Sequence, residues 1–68
     1  MMTTGGHVGR AIRAMRRGQG LTLRQLAESA GCSYAYLSLV ERGQRTPSDR
    51  WLFWIRQALA WEMLHGAA

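Results

Sequence analysis

A chain of 68 residues forms one small domain at most, and its single cysteine, Cys32, leaves no internal disulfide and no Cys/His cluster for a structural metal. Its nine basic residues are all arginine against four acids, and the net charge of +5 favours a polyanionic partner such as nucleic acid or an anionic membrane surface. An apolar share of 47% argues against wholesale disorder, no stretch is long enough to span a bilayer, and alternating Val/Ile/Thr runs are absent, which leaves an all-α fold.

Residues 1–7, small, polar and glycine-containing, read as a disordered lead; residues 8–65 read as the domain and 66–68 as a short tail. Val8, Ile12 and Met15 fall at i, i+4 and i+7, one face of a first helix that ends at Gly18 and Gly20. Thr22 and Gln25 then stand at capping-box spacing, with Leu21 and Leu26 at the flanking staple positions. A second helix therefore runs from about Leu23 to Ala30, and Gly31 supplies a left-handed C′ residue. Ser33 is the N-cap of a third helix, with Cys32 and Leu37 as its staple, which runs to about Arg42 and stops at Gly43. In Thr46-Pro47-Ser48-Asp49 we read a cap, a proline at N1 and an acid at N3. A fourth helix follows from about Ser48 through Trp51, Leu52, Ile55 and Leu59, continuing to His65 with or without a break. The expected architecture is an all-α compact bundle of four or five helices.

Two short helices joined by a glycine-containing turn of three or four residues form a helix-turn-helix arrangement. The segment Leu21 to Ser48, LTLRQLAESAGCSYAYLSLVERGQRTPS, resembles the Cro/C1-type (XRE) family of DNA-binding regulators, a lambda-repressor-like fold. The resemblance is carried by Leu21-Thr22, Leu26-Ala27, Gly31-x-Ser33, Tyr36-Leu37-Ser38, Glu41-Arg42-Gly43 and Pro47-Ser48. Ile12-Arg13 and Arg16 extend it into the first helix, so that it covers roughly Val8 to Leu59. It implies a sequence-specific regulator of transcription, such as a phage or prokaryotic repressor or Cro-like protein, acting on double-stranded DNA in the cytoplasm. The third helix, about residues 33–42, would lie in the major groove.

The same resemblance assigns the site. Tyr34, Ala35, Ser38 and Leu39 match base-contacting positions. Thr22, Leu23, Arg24, Arg42, Gln44, Arg45 and Thr46 match phosphate-contacting ones. Arg16 and Glu41 match an ion pair that locks the first helix to the third. By helical geometry, about 100° per residue, Leu37, Val40 and Ser33 face inward, and Ala35, Ser38, Leu39 and Arg42 face outward. Leu23 and Leu39 stand where many family members carry polar residues; they suit thymine methyl groups, or else a protein partner.

The fourth helix is apolar around most of its circumference. Leu52, Ile55 and Leu59 form its core side, whereas Trp54, Ala58, Trp61 and His65 form a separate band with Trp51 between. Trp54, Ala58 and Trp61 are therefore expected to form a homodimer interface. An alternative stays open: a protein-interaction module on the same fold, of antitoxin or anti-repressor type, using the Leu23/Leu39 face or the Trp-rich helix. No catalytic constellation can be assembled, so the chain is not expected to be an enzyme, nor to need a cofactor, metal, membrane or small-molecule ligand. Cys32 reads as a small core hydrophobe, and His7 and His65 are too isolated to hold a metal.

Overall fold

The computed structural model describes residues 4–66, with side chains from Gly6 onward. Four helices follow in order: α1 (Thr4–Gly18), α2 (Leu23–Ala30), α3 (Tyr34–Glu41) and α4 (Asp49–His65). No strand occurs among the described residues. α1 packs chiefly on α3, and α2 on both α3 and α4. Ile12, Leu21, Leu26, Ala27, Leu37, Val40, Ile55, Ala58 and Leu59 form one continuous core.

Local signals set the middle of the chain. The Thr22 hydroxyl accepts from the Gln25 amide at 3.0 Å, while the Gln25 side-chain oxygen accepts from the Thr22 amide at 2.8 Å, so the capping box closes both ways. Ser33 caps α3 through the Tyr36 amide. α2 and α3 end alike. Gly31 (φ 68°) and Gly43 (φ 77°) adopt the left-handed conformation that a side chain disfavours. The next amide then folds back: Cys32 donates to the Ala27 carbonyl at 3.0 Å, and Gln44 to that of Leu39 at 2.9 Å. Between them lies the turn Gly31-Cys32-Ser33 that sets α2 against α3.

Several expectations are corrected. Met1, Met2 and Thr3 of the expected lead, and Ala67 and Ala68 of the tail, lie outside the described residues. Thr4–His7, however, form the first turn of α1 rather than a lead. The reason lies downstream. A Cβ added at Gly9 would overlap the Val40 carbonyl oxygen, and one added at Gly43 would meet the Gly6 Cα at 3.4 Å. Glycines thus let the start of α1 lie directly on the end of α3. Met15 leaves the core face and is 45% exposed, because the inward stripe runs through half-buried Val8 and buried Ile12 and Arg16 at steps of four. The cap of α4 is Ser48, whose hydroxyl accepts from the Trp51 amide at 3.1 Å, and not Thr46. Pro47 lies buried just before the helix instead of at N1; a proline biases the residue before it, here Thr46, toward extended backbone. α4 itself runs unbroken for 17 residues.

Candidate nucleic-acid interface

α3 is held by its inner face. Leu37 and Val40 are fully buried. Ser33, expected to face inward, is exposed, because its side chain turns along the helix end to cap it. What α3 leaves outward is its leading end and one flank: Tyr34 and Ala35 are exposed, Ser38 and Leu39 are half-buried, and Arg42 is exposed. The Arg42 Nε donates to the Ser38 carbonyl at 3.4 Å, which lays that guanidinium along its own helix. Gln44, Arg45 and Thr46 follow in an exposed loop.

The start of α2 lies next to this end of α3. Arg24 and Thr22 are exposed, and the Arg24 guanidinium carbon sits 5.1 Å from the centre of the Tyr34 ring. The amides of Leu23 and Arg24 belong to the first helical turn and have no acceptor within the helix. Neither α2 nor α3 has an acid in its first turn, so both positive helix ends are uncompensated. The Leu23 side chain is half-buried, packs on the core and lines a groove with Thr22, Arg24 and Tyr34, while its amide stands at the helix start, a position suited to a phosphate.

None of the four acids stands in the first turn of α2 or α3. Glu28 and Glu62 line one groove with Gln25, Ser29 and Trp61, and Asp49 opens α4. Glu41 is buried against Arg16. Arg16 Nε donates to Glu41 Oε2 at 2.8 Å and Nη2 to Oε1 at 2.9 Å, while Nη1 donates to the Leu21 carbonyl at 2.7 Å. One guanidinium therefore joins α1, the end of α3 and Leu21, the residue before the α2 cap. The frame that fixes the relative pose of the two helices is built from buried residues.

Trp51 of α4 supports the frame through Tyr36 of α3. Tyr36 is half-buried and meets the edge of Trp51 at 5.2 Å between ring centres. Cys32 is half-buried and packs on the core, and desolvation pushes its thiol up from the ordinary range, which keeps it protonated. Of the residues expected to form an interface on α4, Ala58 is a core residue only 5% exposed. Trp54 and Trp61 are 55% and 56% exposed, with Trp61 stacked on His65 at 3.6 Å. The core stripe of α4 is wider than the Leu52/Ile55/Leu59 face and takes in Ala58. Phe53, Met63 and Leu64 are exposed as well. No group of three His, Cys, Asp or Glu able to hold a metal occurs among the described residues, and no described helix is long and apolar enough to cross a membrane.

Sequence reasoning missed the pairing of Arg24 with Tyr34. Nothing in a separation of ten residues signals it; it depends on the angle that the Gly31 turn gives the two helices.

These features define a helix-turn-helix domain with its second helix exposed along one flank. Residues 7–59 match the family model described as a helix-turn-helix domain, and the chain belongs to that family. It is similar to the transcriptional regulator ClgR of Mycobacterium tuberculosis (strain ATCC 25618 / H37Rv), 46% identical over 52 residues that make up 76% of this chain and 46% of that protein. It is also similar to the HTH-type transcriptional regulator SlrR of Bacillus subtilis (strain 168), 46% identical over 46 residues, 66% of this chain and 30% of that one. The chain thus spans less than half the length of these two relatives. Among solved structures it is similar to the clp gene regulator ClgR from C. glutamicum, with a TM-score of 0.83 and 37% identity over 87% of this chain and 76% of that one.

Proposed function

We propose that this chain binds double-stranded DNA sequence-specifically and regulates transcription, as a homodimer. The observation that carries the reading is the exposed leading end of α3, with Tyr34, Ala35, Ser38 and Leu39, flanked by the bare amides of α2 and by Arg24, Arg42 and Arg45. α3 enters the major groove, its outward side chains meet base edges, and the α2 amides and the 44–46 loop hold phosphates on either side. Leu39, half-buried and apolar, suits a thymine methyl group. Relatives named as transcriptional regulators support the reading.

A single unit of this kind reads one half-site. Two units in register on a palindrome place their α3 helices about 34 Å apart. The exposed Trp54 and Trp61, with Phe53 beside Trp54 at 5.3 Å between ring centres, supply an apolar surface for that pairing.

The test is binding to a randomised duplex pool followed by titration at two salt concentrations. With about 6–10 phosphate contacts per dimer, affinity falls about 10³–10⁵-fold between about 50 and 200 mM salt. Arg45→Ala weakens all sequences alike, whereas Ser38→Ala relaxes preference at particular base pairs. Folded protein that shifts no duplex at low salt would overturn the reading.

A further inference from the structure

We propose that Arg24, besides meeting the phosphate backbone, is a specificity-determining residue that acts through Tyr34. The inference rests on the DNA-binding reading above. It starts from an unusual placement. Arg24 occupies the second position of α2, where the positive end of the helix repels a cation, and no acid stands in that first turn to offset it. Nor does any acid stand in the first turn of α3 opposite. What the guanidinium meets is the Tyr34 ring, 5.1 Å from its centre. A planar cation over an aromatic ring is attracted by the ring's negative face.

The consequence concerns Tyr34. It is the first residue of α3, 46% exposed, and the ring is not among the side chains that pack on the core. An exposed ring on a helix tip samples several rotamers, and reading a base edge needs one. Arg24 covers one face of the ring and so selects an orientation, leaving the other face and the hydroxyl edge for the nucleic acid. Tyr36, two residues on, has its own partner in Trp51, so each tyrosine of α3 is oriented by a different element. Arg24 therefore has two tasks on one side chain: its charge draws the phosphate backbone, and its plane sets the ring that reads.

The two tasks come apart in Arg24→Lys. Lysine keeps the charge but loses the flat guanidinium that lies over the ring. The experiment selects bound sites from a randomised duplex pool with wild type, Arg24→Lys, Tyr34→Ala and the double variant, and records base preference per position and the slope of affinity against salt. Arg24→Lys is expected to leave the salt slope unchanged while lowering, by about two- to five-fold, the preference at the base pair that Tyr34→Ala also relaxes. In the double variant, preference there is no lower than with Tyr34→Ala alone. Unaltered base preference in Arg24→Lys, or losses that simply add, would overturn the proposal while leaving DNA binding intact. Absence of duplex binding by folded wild type overturns both readings together.

Discussion

Replacing Arg16 by Met keeps the volume and helical propensity of the position and removes three donated hydrogen bonds. Glu41, whose side chain is 4% exposed, is then left as an unpaired charge in the interior, and the Leu21 carbonyl loses its donor. Breaking a buried pair from one side destabilises by about 3–5 kcal/mol. A domain of this size holds roughly 3–10 kcal/mol in total, at about 0.05–0.15 kcal/mol per residue. The variant is therefore expected near the edge of folding, with its melting temperature lowered by about 12 °C or more. The companion is Arg16→Met/Glu41→Leu, which removes both charges and leaves an apolar contact. It is expected to recover most of the loss, because a buried pair contributes little against well-packed apolar side chains. Urea denaturation followed by far-UV circular dichroism measures both. If Arg16→Met unfolds at the wild-type midpoint, or the double variant is as weak as the single, the reasoning fails. At low temperature, the folded fraction of Arg16→Met should bind DNA nearly as wild type does, since Arg16 is only 9% exposed and its guanidinium is taken up by Glu41 and the Leu21 carbonyl.

Gly9→Ala forces a methyl into the Val40 carbonyl and is expected to destabilise by about 1–3 kcal/mol or more, whereas Gly18→Ala, with open space around it, stabilises by about 0.5–1 kcal/mol; thermal melts of the two decide. Ser33→Ala removes the cap of α3 and should lower stability by about 1 kcal/mol in the same assay. For the dimer, sedimentation at tens of micromolar, the order of concentration for a weak interface, should show wild type associating and Trp54→Glu/Trp61→Glu monomeric. A wild type that sediments as a monomer with and without DNA removes the homodimer.

The parts of this fold that could be read in the sequence are those fixed within a few residues. Thr22 with Gln25, Ser33 and Gly31 each satisfy or release backbone groups one turn away, so their residue types suffice. The parts misread depend on packing at a distance. Met15 fits an apolar stripe as well as any residue, but the buried position next to it belongs to Arg16, whose charge is tolerated only because Glu41 arrives from α3. Thr46 and Ser48 are equally good caps on paper, and the choice follows from where Pro47 is buried. Ala58 sits between two faces on a helical wheel, and the breadth of the core behind α4 decides which takes it. The proposed base and phosphate contacts rest on the resemblance; the structure adds that Leu23 is half-buried against the core and that Arg24 and Tyr34 share one contact.

The closed box at Thr22 has a consequence for polarity. Its hydroxyl already accepts the Gln25 amide, and its backbone amide is spent on the Gln25 side chain. The hydroxyl proton remains, on a rotor free to swing outward, so toward an anion Thr22 is a one-way group that gives and does not take. Thr22→Asp would preserve the cap, since a carboxylate accepts the same amide at least as well. It would also turn that one-way donor into an acceptor bearing negative charge. The identical helix would then stand in place with its sign toward a phosphate reversed, separating the folding of the domain from its affinity at a single side chain.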